Sequence, residues 1–443
     1  MHATEVFARY AAEFHRQPLP PEVIHHAKRA VIDWYASLFP GLGAAPVRQL
    51  EEALAEDLDR GRASLAGGRA ATARAAALVN GTAAHAAEVD DSFRDAMYHP
   101  GAATVAAALA AGQDVGANGP AFLRGVVLGY EVSTRIGVVM GRAHYKYWHS
   151  TGTVGSFGAA SAAACLMSLD EPAFAHALAT AATFTAGLQQ AFRMDSMSKP
   201  LHAGRAAEAG ILAAQLAGRG VTGSLDVLDG EIGLGRAMSD GPDWSQAGAT
   251  LGQDFHITRL TFKNHIGCGH TFAAIDGALE LKQRHGLEAG NIERVHVATY
   301  RPALDIACYT HPTTANEARF SLTYVVATAL AHGSVRLAAY EPARLEDQVT
   351  RALMERIEVA VDPALDAAFP GQRAARIVIE TRDGRRLEHL QPNRKGDPEQ
   401  ALTDDELEGK YLELASPVIG AERSRALLAQ LWALDKSATL PRA

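Results

Sequence analysis

The chain has 443 residues and a formal net charge of −8, with 48% hydrophobic and 21% charged residues. These are the proportions of a globular protein with room for two domains. Without a basic cluster they exclude a nucleic-acid binder, which needs a positive stripe to displace counterions. Cys165, Cys268 and Cys308 stand far apart with no C-x-x-C pair, so neither a disulfide framework nor a zinc-finger spacing is present and a reducing compartment fits. The first residues, Met-His-Ala-Thr-Glu-Val-Phe-Ala-Arg-Tyr, lack the basic and apolar regions of a signal peptide. The expectation is a cytoplasmic protein that does not enter a membrane.

From residue 4 to about 220 the pattern predicts helices near 4–15, 21–37, 46–57, 70–87, 100–112, 119–142, 151–168, 172–188 and 200–218, rich in Ala with Gly or Pro at the joints. Ser150 to Leu169 and Pro172 to Phe192 carry no Asp, Glu, Lys or Arg. Helices without a polar face are membrane spans or the centre of a large helical domain, and these are too poor in Leu, Ile, Val and Phe to span. Past residue 257 the texture changes. Ile257 to Phe262 alternates like a strand, Phe272 to Arg284 is helical, Ile292 to Tyr300 alternates again, and Glu317 to Ala331 is helical. Ile357 to Val361 is a short strand, and Ala375 to Gln391 reads as a hairpin with a primed turn at Asp383-Gly384. After Pro398 helix returns, with a capping box at Thr403-Asp404-Asp405-Glu406. The predicted fold class is mostly α: a large all-α domain over residues 1–260 plus 398–443, interrupted by a smaller α/β (α+β) lid domain over 261–397. A cleft between domains is the default site.

Four constellations could carry chemistry. In Met194 to Gly210, Lys199 precedes Pro200, which is suited to the first turn of a helix. Lys199 and His202 would then share a face beside free N–H groups and the positive end of the dipole, a corner for an anion. In His85 to Gly101, the carboxylates Glu88, Asp90, Asp91 and Asp95 precede His99, which stands before the Pro100-Gly101 helix start. The dipole lowers the pKa of such a histidine and the carboxylates raise it. His149 opens a third helix start at Ser150-Thr151-Gly152-Thr153, whose first turn could hold a carboxylate. Gly152, Gly155 and Gly158 give a small face for close packing. Around Lys263, His265, Cys268 and His270 offer three donors, but this spacing matches no usual zinc site. Lys263 and Cys268 are read instead as cleft residues. Tyr324 offers a phenol. No dinucleotide fingerprint, Walker sequence or nucleophile elbow occurs.

His85 through Asp91-Ser92, His99-Pro100, Trp148-His149 with Thr151-Gly152-Thr153, Lys199-Pro200-Leu201-His202 with Gly204, Lys263 with Cys268, and Phe320-Ser321 with Tyr324 resemble, in this order, the motifs of the MmgE/PrpD family. That family includes 2-methylcitrate dehydratases, cis-aconitate decarboxylase and iminodisuccinate epimerase. The resemblance runs along essentially the whole chain. It implies a helical domain split by an α/β lid, a homodimer, no metal or organic cofactor, and a di- or tricarboxylate at the domain interface. By matched position it implies His99, His149, Lys199, Lys263 and Tyr324 as catalytic residues, with Glu88, Asp91, Ser92, Thr151, His202 and Cys268 binding substrate. Glu88 stands where the family often has Asp, Cys268 where the decarboxylase branch has His. His99-Pro100-Gly101-Ala102 differs from the His-Pro-Ser-Asp-Asn form of dedicated 2-methylcitrate dehydratases.

The expected activity is a cofactor-free hydro-lyase, 2-methylcitrate dehydratase-like, that abstracts a proton next to a carboxylate and eliminates water from a 2-hydroxy-polycarboxylate. Lys199, Lys263 and His202 would hold the developing charge. His99 would be the base, and His149 or Tyr324 the acid. Epimerisation of a dicarboxylate such as iminodisuccinate needs the same proton abstraction, and decarboxylation of cis-aconitate is the family's third chemistry. The non-enzyme alternative is a helical metabolite-binding scaffold.

Overall fold

The computed structural model describes residues 1–194 and 196–442. Asp195, inside the Met194 to Gly210 stretch, lies outside the described residues. In chain order come α1 (Ala3–Phe14), α2 (Pro21–Gly41), α3 (Ala45–Ala53), the short strands β1 (Leu58–Ser64) and β2 (Ala70–Ala71), α4 (Ala73–Ala86), α5 (Pro100–Val115) and α6 (Gly119–Tyr145). They are followed by α7 (Ser150–Thr153), α8 (Gly155–Leu166), α9 (Glu171–Phe184), α10 (Ser198–Ala217) and α11 (Leu234–Met238). Next are α12 (Phe272–His285), β3 (Ile292–Thr299), α13 (Arg301–Ile306), α14 (Ala315–Arg319), α15 (Leu322–His332), α16 (Pro342–Leu345) and α17 (Gln348–Met354). The chain ends with β4 (Ile357–Val361), α18 (Pro363–Ala368), β5 (Ala375–Thr381), β6 (Arg386–Gln391), α19 (Asp404–Ile419) and α20 (Ala421–Trp432). The protein is mostly helical. It divides into two compact units, Met1–Thr261 joined by the chain from Thr403 onward, and Phe262–Leu402.

In the first unit the uncharged α8 is buried along its whole length and packs on α5, α6 and α10. Small side chains let the backbones approach. A Cβ at Gly204 of α10 would stand 2.1 Å from the Leu78 carbonyl of α4, so no larger residue fits there. At the C-terminal end, Thr403 caps α19 through a capping box with Glu406, and α19 packs on α2. Their contact buries an ion pair, Lys410 Nζ to Asp33 Oδ1 at 2.5 Å, both side chains 1% exposed. No helix among the described residues is long and apolar enough to cross a membrane.

Two local expectations for this unit fail. The β1–β2 ladder is not among the expected elements: β1 falls in the gap between the expected helices 46–57 and 70–87 and β2 on the first residues of the second, and residues 59–62 of β1 are exposed and show no apolar alternation. Residues 257–262 are not a strand: His256–Arg259 is a 3₁₀ turn, and the pairing of Thr261 with Ser92 is an isolated bridge. Thr258 Oγ1 donates to the Phe255 carbonyl at 2.7 Å, a local bond that competes with ladder formation.

The second unit is a four-stranded sheet of order β4-β3-β5-β6. β3 and β4 run parallel and the remaining pairs antiparallel. Val295, Val297, Ile377 and Ile379 are buried, and α12 packs on β5 and β6. The hairpin forms, but not with a primed turn. Only Gly384 has positive φ, +84°, and its N–H donates to the Thr381 carbonyl at 2.9 Å. A primed turn would require Asp383 to share that conformation, and it does not.

Candidate active site

The ends of four helices in the first unit bring four histidines into one row. His85 lies in the last turn of α4, His99 is the N-cap of α5, His149 the N-cap of α7, and His202 sits in the first turns of α10. The His85 ring lies 5.2 Å from that of His99 and 5.4 Å from that of His149, nearly parallel to the latter at 27°. His149 Nδ1 and His202 Nδ1 are 3.0 Å apart. The chain after α9 makes this approach possible. The helix expected to reach residue 188 stops at Phe184, and Gly187, at φ +132°, offers its carbonyl to the His149 N–H at 2.9 Å. A Cβ on Gly152 would stand 2.4 Å from the Ala186 carbonyl, so α7 must be glycine where this segment crosses it.

The hydrogen bonds assign protons. His99 Nδ1 lies 2.7 Å from the Asp91 carbonyl, which only accepts, so Nδ1 donates and Nε2 is the unprotonated nitrogen of the neutral ring. The His99 side chain is 21% exposed, whereas His149 is 2% and His85 0% exposed. Of these three rings it is the one a ligand reaches. His149 and His202 share one proton between their Nδ1 atoms, so as neutral rings they are opposite tautomers, one with a bare Nε2 and one with Nε2–H. Burial, then the neighbouring His85 and Lys199, pushes His202 down to about 4. The same causes in the same order, joined by His202 and His99, hold His149 well below the usual imidazole range. At neutral pH the pair is uncharged.

Beside the row is an ionic element. Lys199 Nζ donates to Glu88 Oε1 and stands 4.9 Å over the Phe192 ring, whose edge meets the His149 ring at 4.8 Å. Both charged residues are buried, 9% and 8% exposed. α10 begins at Ser198, so Lys199 lies inside the first turn and not before it, and Pro200 is the third helical residue. Proline is tolerated there because the third N–H has no intrahelical partner in any case. Glu88 has φ +59°, a left-handed conformation costly for a residue with a Cβ. The next carbonyl, Val89, accepts from Lys410 Nζ at 2.8 Å.

The structure brings Glu88, His99, His149, Thr151, Lys199 and His202 together. The Thr151 hydroxyl accepts from the His99 backbone N–H at 3.3 Å. Asp91, expected to bind substrate, serves as a cap: Oδ1 accepts from the Gly101 N–H at 2.9 Å and Oδ2 from the Tyr130 hydroxyl at 2.8 Å. Burial, then the Asp33 charge, raises it to about 8 against those two hydrogen bonds. Its carboxylate occupies the α5 N-terminus. Ser92 pairs its backbone with Thr261.

Lys263, Cys268 and Tyr324 belong to the second unit. Lys263 and Cys268 are buried, and the Cys268 N–H donates to the Arg319 carbonyl at 3.0 Å. Tyr324 is fully buried and its phenol donates to the Ala339 carbonyl, a bond it would have to break to serve as an acid. Of the neighbouring donors, His265 Nε2 pairs with Asp276 at 2.7 Å and His270 Nδ1 meets the Tyr300 hydroxyl at 3.0 Å.

Four residues without an expected role also border the site: His85 and Asp90, which the His85 to Gly101 stretch contains, and Tyr130 and Phe192. His85 Nδ1 meets Asp90 Oδ2 at 2.7 Å, and the sequence offered a signal, a histidine one residue more than a helical turn before an aspartate. Among the described residues, donor atoms of His85, Asp90 and His99 gather within 4.8 Å of one another. The Nδ1 atoms of both rings are engaged, that of His85 by Asp90 and that of His99 by the Asp91 carbonyl, and Asp90 Oδ2 lies 3.6 Å from His99 Nδ1 without a hydrogen bond to it.

The MmgE/PrpD N-terminal domain matches residues 5–247 and the MmgE/PrpD C-terminal domain residues 265–435. The chain is similar to the cis-aconitate decarboxylase-like protein oryM of Aspergillus oryzae (strain ATCC 42149 / RIB 40), 28% identical over 99% of this chain and 95% of that protein. It is 26% identical to the cis-aconitate decarboxylase of Homo sapiens over 80% of this chain and 75% of the other. To that of Mus musculus it is 26% identical over 81% and 75%.

Proposed function

The chain belongs to the MmgE/PrpD family, and we propose that it is a polycarboxylate lyase that moves a proton at the carbon next to a carboxylate. The observation that carries this reading is the hydrogen bond of His99: its Nδ1 is tied to the Asp91 carbonyl, leaving Nε2 as a base on the most open of the three neighbouring rings. The reaction is elimination of water from a 2-hydroxy-polycarboxylate such as 2-methylcitrate. His99 Nε2 takes the proton from carbon. The electron pair forms the double bond as the C–O bond breaks, and the leaving oxygen takes a proton from the Nε2–H of the His149–His202 pair. Negative charge grows on the substrate carboxylate during the first step, and the Lys199 ammonium meets it in a poorly hydrated setting where a fixed charge counts for more. Tyr324 is left out as the acid because its proton is committed to Ala339.

A second reading, decarboxylation of cis-aconitate, is favoured by the names of the relatives. It breaks a C–C bond, releases carbon dioxide and consumes one proton at carbon. Incubation with citrate, 2-methylcitrate and cis-aconitate, followed by alkene absorbance and carbon dioxide release, separates the two. Alkene formed from a hydroxy acid without carbon dioxide supports the hydro-lyase. Carbon dioxide from cis-aconitate moves the assignment to the decarboxylase, and no turnover of any acid by folded protein overturns the lyase reading.

A further inference from the structure

His85 carries no role in the mechanism above, yet it is fully buried at the centre of the histidine row. Its Nε2 has no hydrogen-bond partner among the described residues, a costly arrangement for a buried polar atom. Its Nδ1 is bound to Asp90 Oδ2 at 2.7 Å. The same oxygen lies 3.6 Å from His99 Nδ1. Asp90 is itself 1% exposed, so its charge is poorly screened by water and acts strongly at this distance.

We propose that His85 and Asp90 are positioning residues for His99: the His85 N–H clamps the Asp90 carboxylate beside the His99 ring, where it becomes the counter-charge of the imidazolium formed when His99 takes a proton. The inference rests on His99 being the base. The chemistry balances within the site. His99 gains one proton and one positive charge, Asp90 supplies a negative charge already in place, and His85 keeps its proton throughout. The clamp settles the geometry because His99 Nδ1 is bound to the Asp91 carbonyl and cannot hold Asp90 itself. The other groups facing His99 do not replace it. His149 and His85 bring no negative charge, Thr151 is neutral, and the Asp91 carboxylate is turned to Gly101 and Tyr130. From α10, Lys199 is engaged by Glu88.

The test is a titration of the full chain labelled with ¹³C at histidine Cε1, with the His99 signal assigned by its loss in His99→Gln. Three further variants are compared: Asp90→Asn, which keeps shape and removes charge; His85→Leu, which removes the clamp; and His85→Gln, whose amide can still donate to Asp90. In Asp90→Asn the His99 midpoint falls by about one unit or more, the range expected when an opposite charge at this distance is lost. His85→Leu lowers it by less, and His85→Gln restores it. In kinetics, the acid limb of kcat/KM moves with the midpoint and kcat falls while KM holds. A purely structural role would lower thermal stability and leave the midpoint in place. An unchanged midpoint in Asp90→Asn overturns the proposal, and because that variant is isosteric the test stands even if His85→Leu fails to fold. Turnover abolished in His99→Gln with an unmoved midpoint in Asp90→Asn would remove the clamp and leave the lyase reading standing. Shifted midpoints with no turnover of any polycarboxylate would do the reverse.

Discussion

Two lysines hold consecutive residues of one loop, and they do different work. Lys410, on α19, binds the Val89 carbonyl and Asp33 in a setting where both charged side chains are 1% exposed. Lys199, on α10, binds Glu88 beneath the Phe192 ring, with its side chain 11% and that of Glu88 10% exposed. The first pair is sealed in helix packing and fixes the backbone; the second borders the histidine row and presents charge. Together they over-determine the left-handed Glu88 between them, which is how a strained residue persists at a site. A buried ion pair is thus not one kind of object. Its surroundings decide whether it serves the fold or the chemistry.

The comparison can be broken from either side. Lys410→Met leaves Asp33 buried without its cation and frees the Val89 carbonyl. A loss of about 3–5 kcal/mol in urea unfolding is expected, while a double Asp33→Leu, Lys410→Met variant recovers much of it. If Lys410→Met is no less stable than the parent protein, the pair is not holding the loop. Lys199→Met should show the opposite balance, with a smaller change in stability and turnover reduced about a hundred- to a thousandfold, as for removal of one stabiliser of developing charge. Normal kcat in that variant would return Lys199 to the scaffold. A smaller effect is expected at Tyr130→Phe, which removes the hydroxyl donor to Asp91 and should cost about 1–2 kcal/mol, read as a shift in the urea midpoint with activity changed less than in Lys199→Met.

Protonation gives the finest distinction. Asp91 is raised to about 8, so the folded state holds a proton that the unfolded chain releases above its ordinary carboxylate value. This stabilisation is complete at low pH and fades as pH climbs toward 8, by at most about 1.4 kcal/mol per pH unit for one proton. His149 and His202 act with the opposite sign: lowered in the folded state, they take up protons on unfolding, so stability grows as pH rises toward the ordinary imidazole value near 6.5, for His202 from about 4, and then levels. Urea titrations between pH 6.5 and 8.5 lie above the histidine window and read Asp91 together with Glu131, which burial raises to about 7. Asp91→Asn should flatten the decline seen in the parent protein, and an identical slope in both would place the proton elsewhere.

Much of this was legible in the residue order. The uncharged runs marked the α8 region as interior because a helix without a polar face has to be covered, and the proline after His99 marked the start of α5. What the sequence lacked was the identity of partners. Ile257 to Phe262 alternates as a strand does, but among the described residues its ladder goes no further than the isolated Thr261–Ser92 bridge, and Thr258 closes a turn instead. Lys199 precedes a proline, yet the helix starts earlier because proline is also accepted in the third position. Asp91 and Asp90 are adjacent and alike in sequence. One caps α5 and the other lies beside two histidines, a difference created by the turn between α4 and α5. His85 was hidden for the same reason: its partners, His99 and His149, come from helices that meet it only in the folded chain.

The chemistry turns on His99 removing a proton from carbon. Citrate, 2-methylcitrate and cis-aconitate, incubated separately in deuterium oxide with the parent protein and with folded His99→Gln, can be followed by proton NMR for conversion and for loss of carbon-bound hydrogen. The parent protein should convert at least one acid, and His99→Gln should convert it about a hundred- to ten-thousandfold more slowly, the range for loss of a general base. Equal rates in the two proteins would contradict the claim.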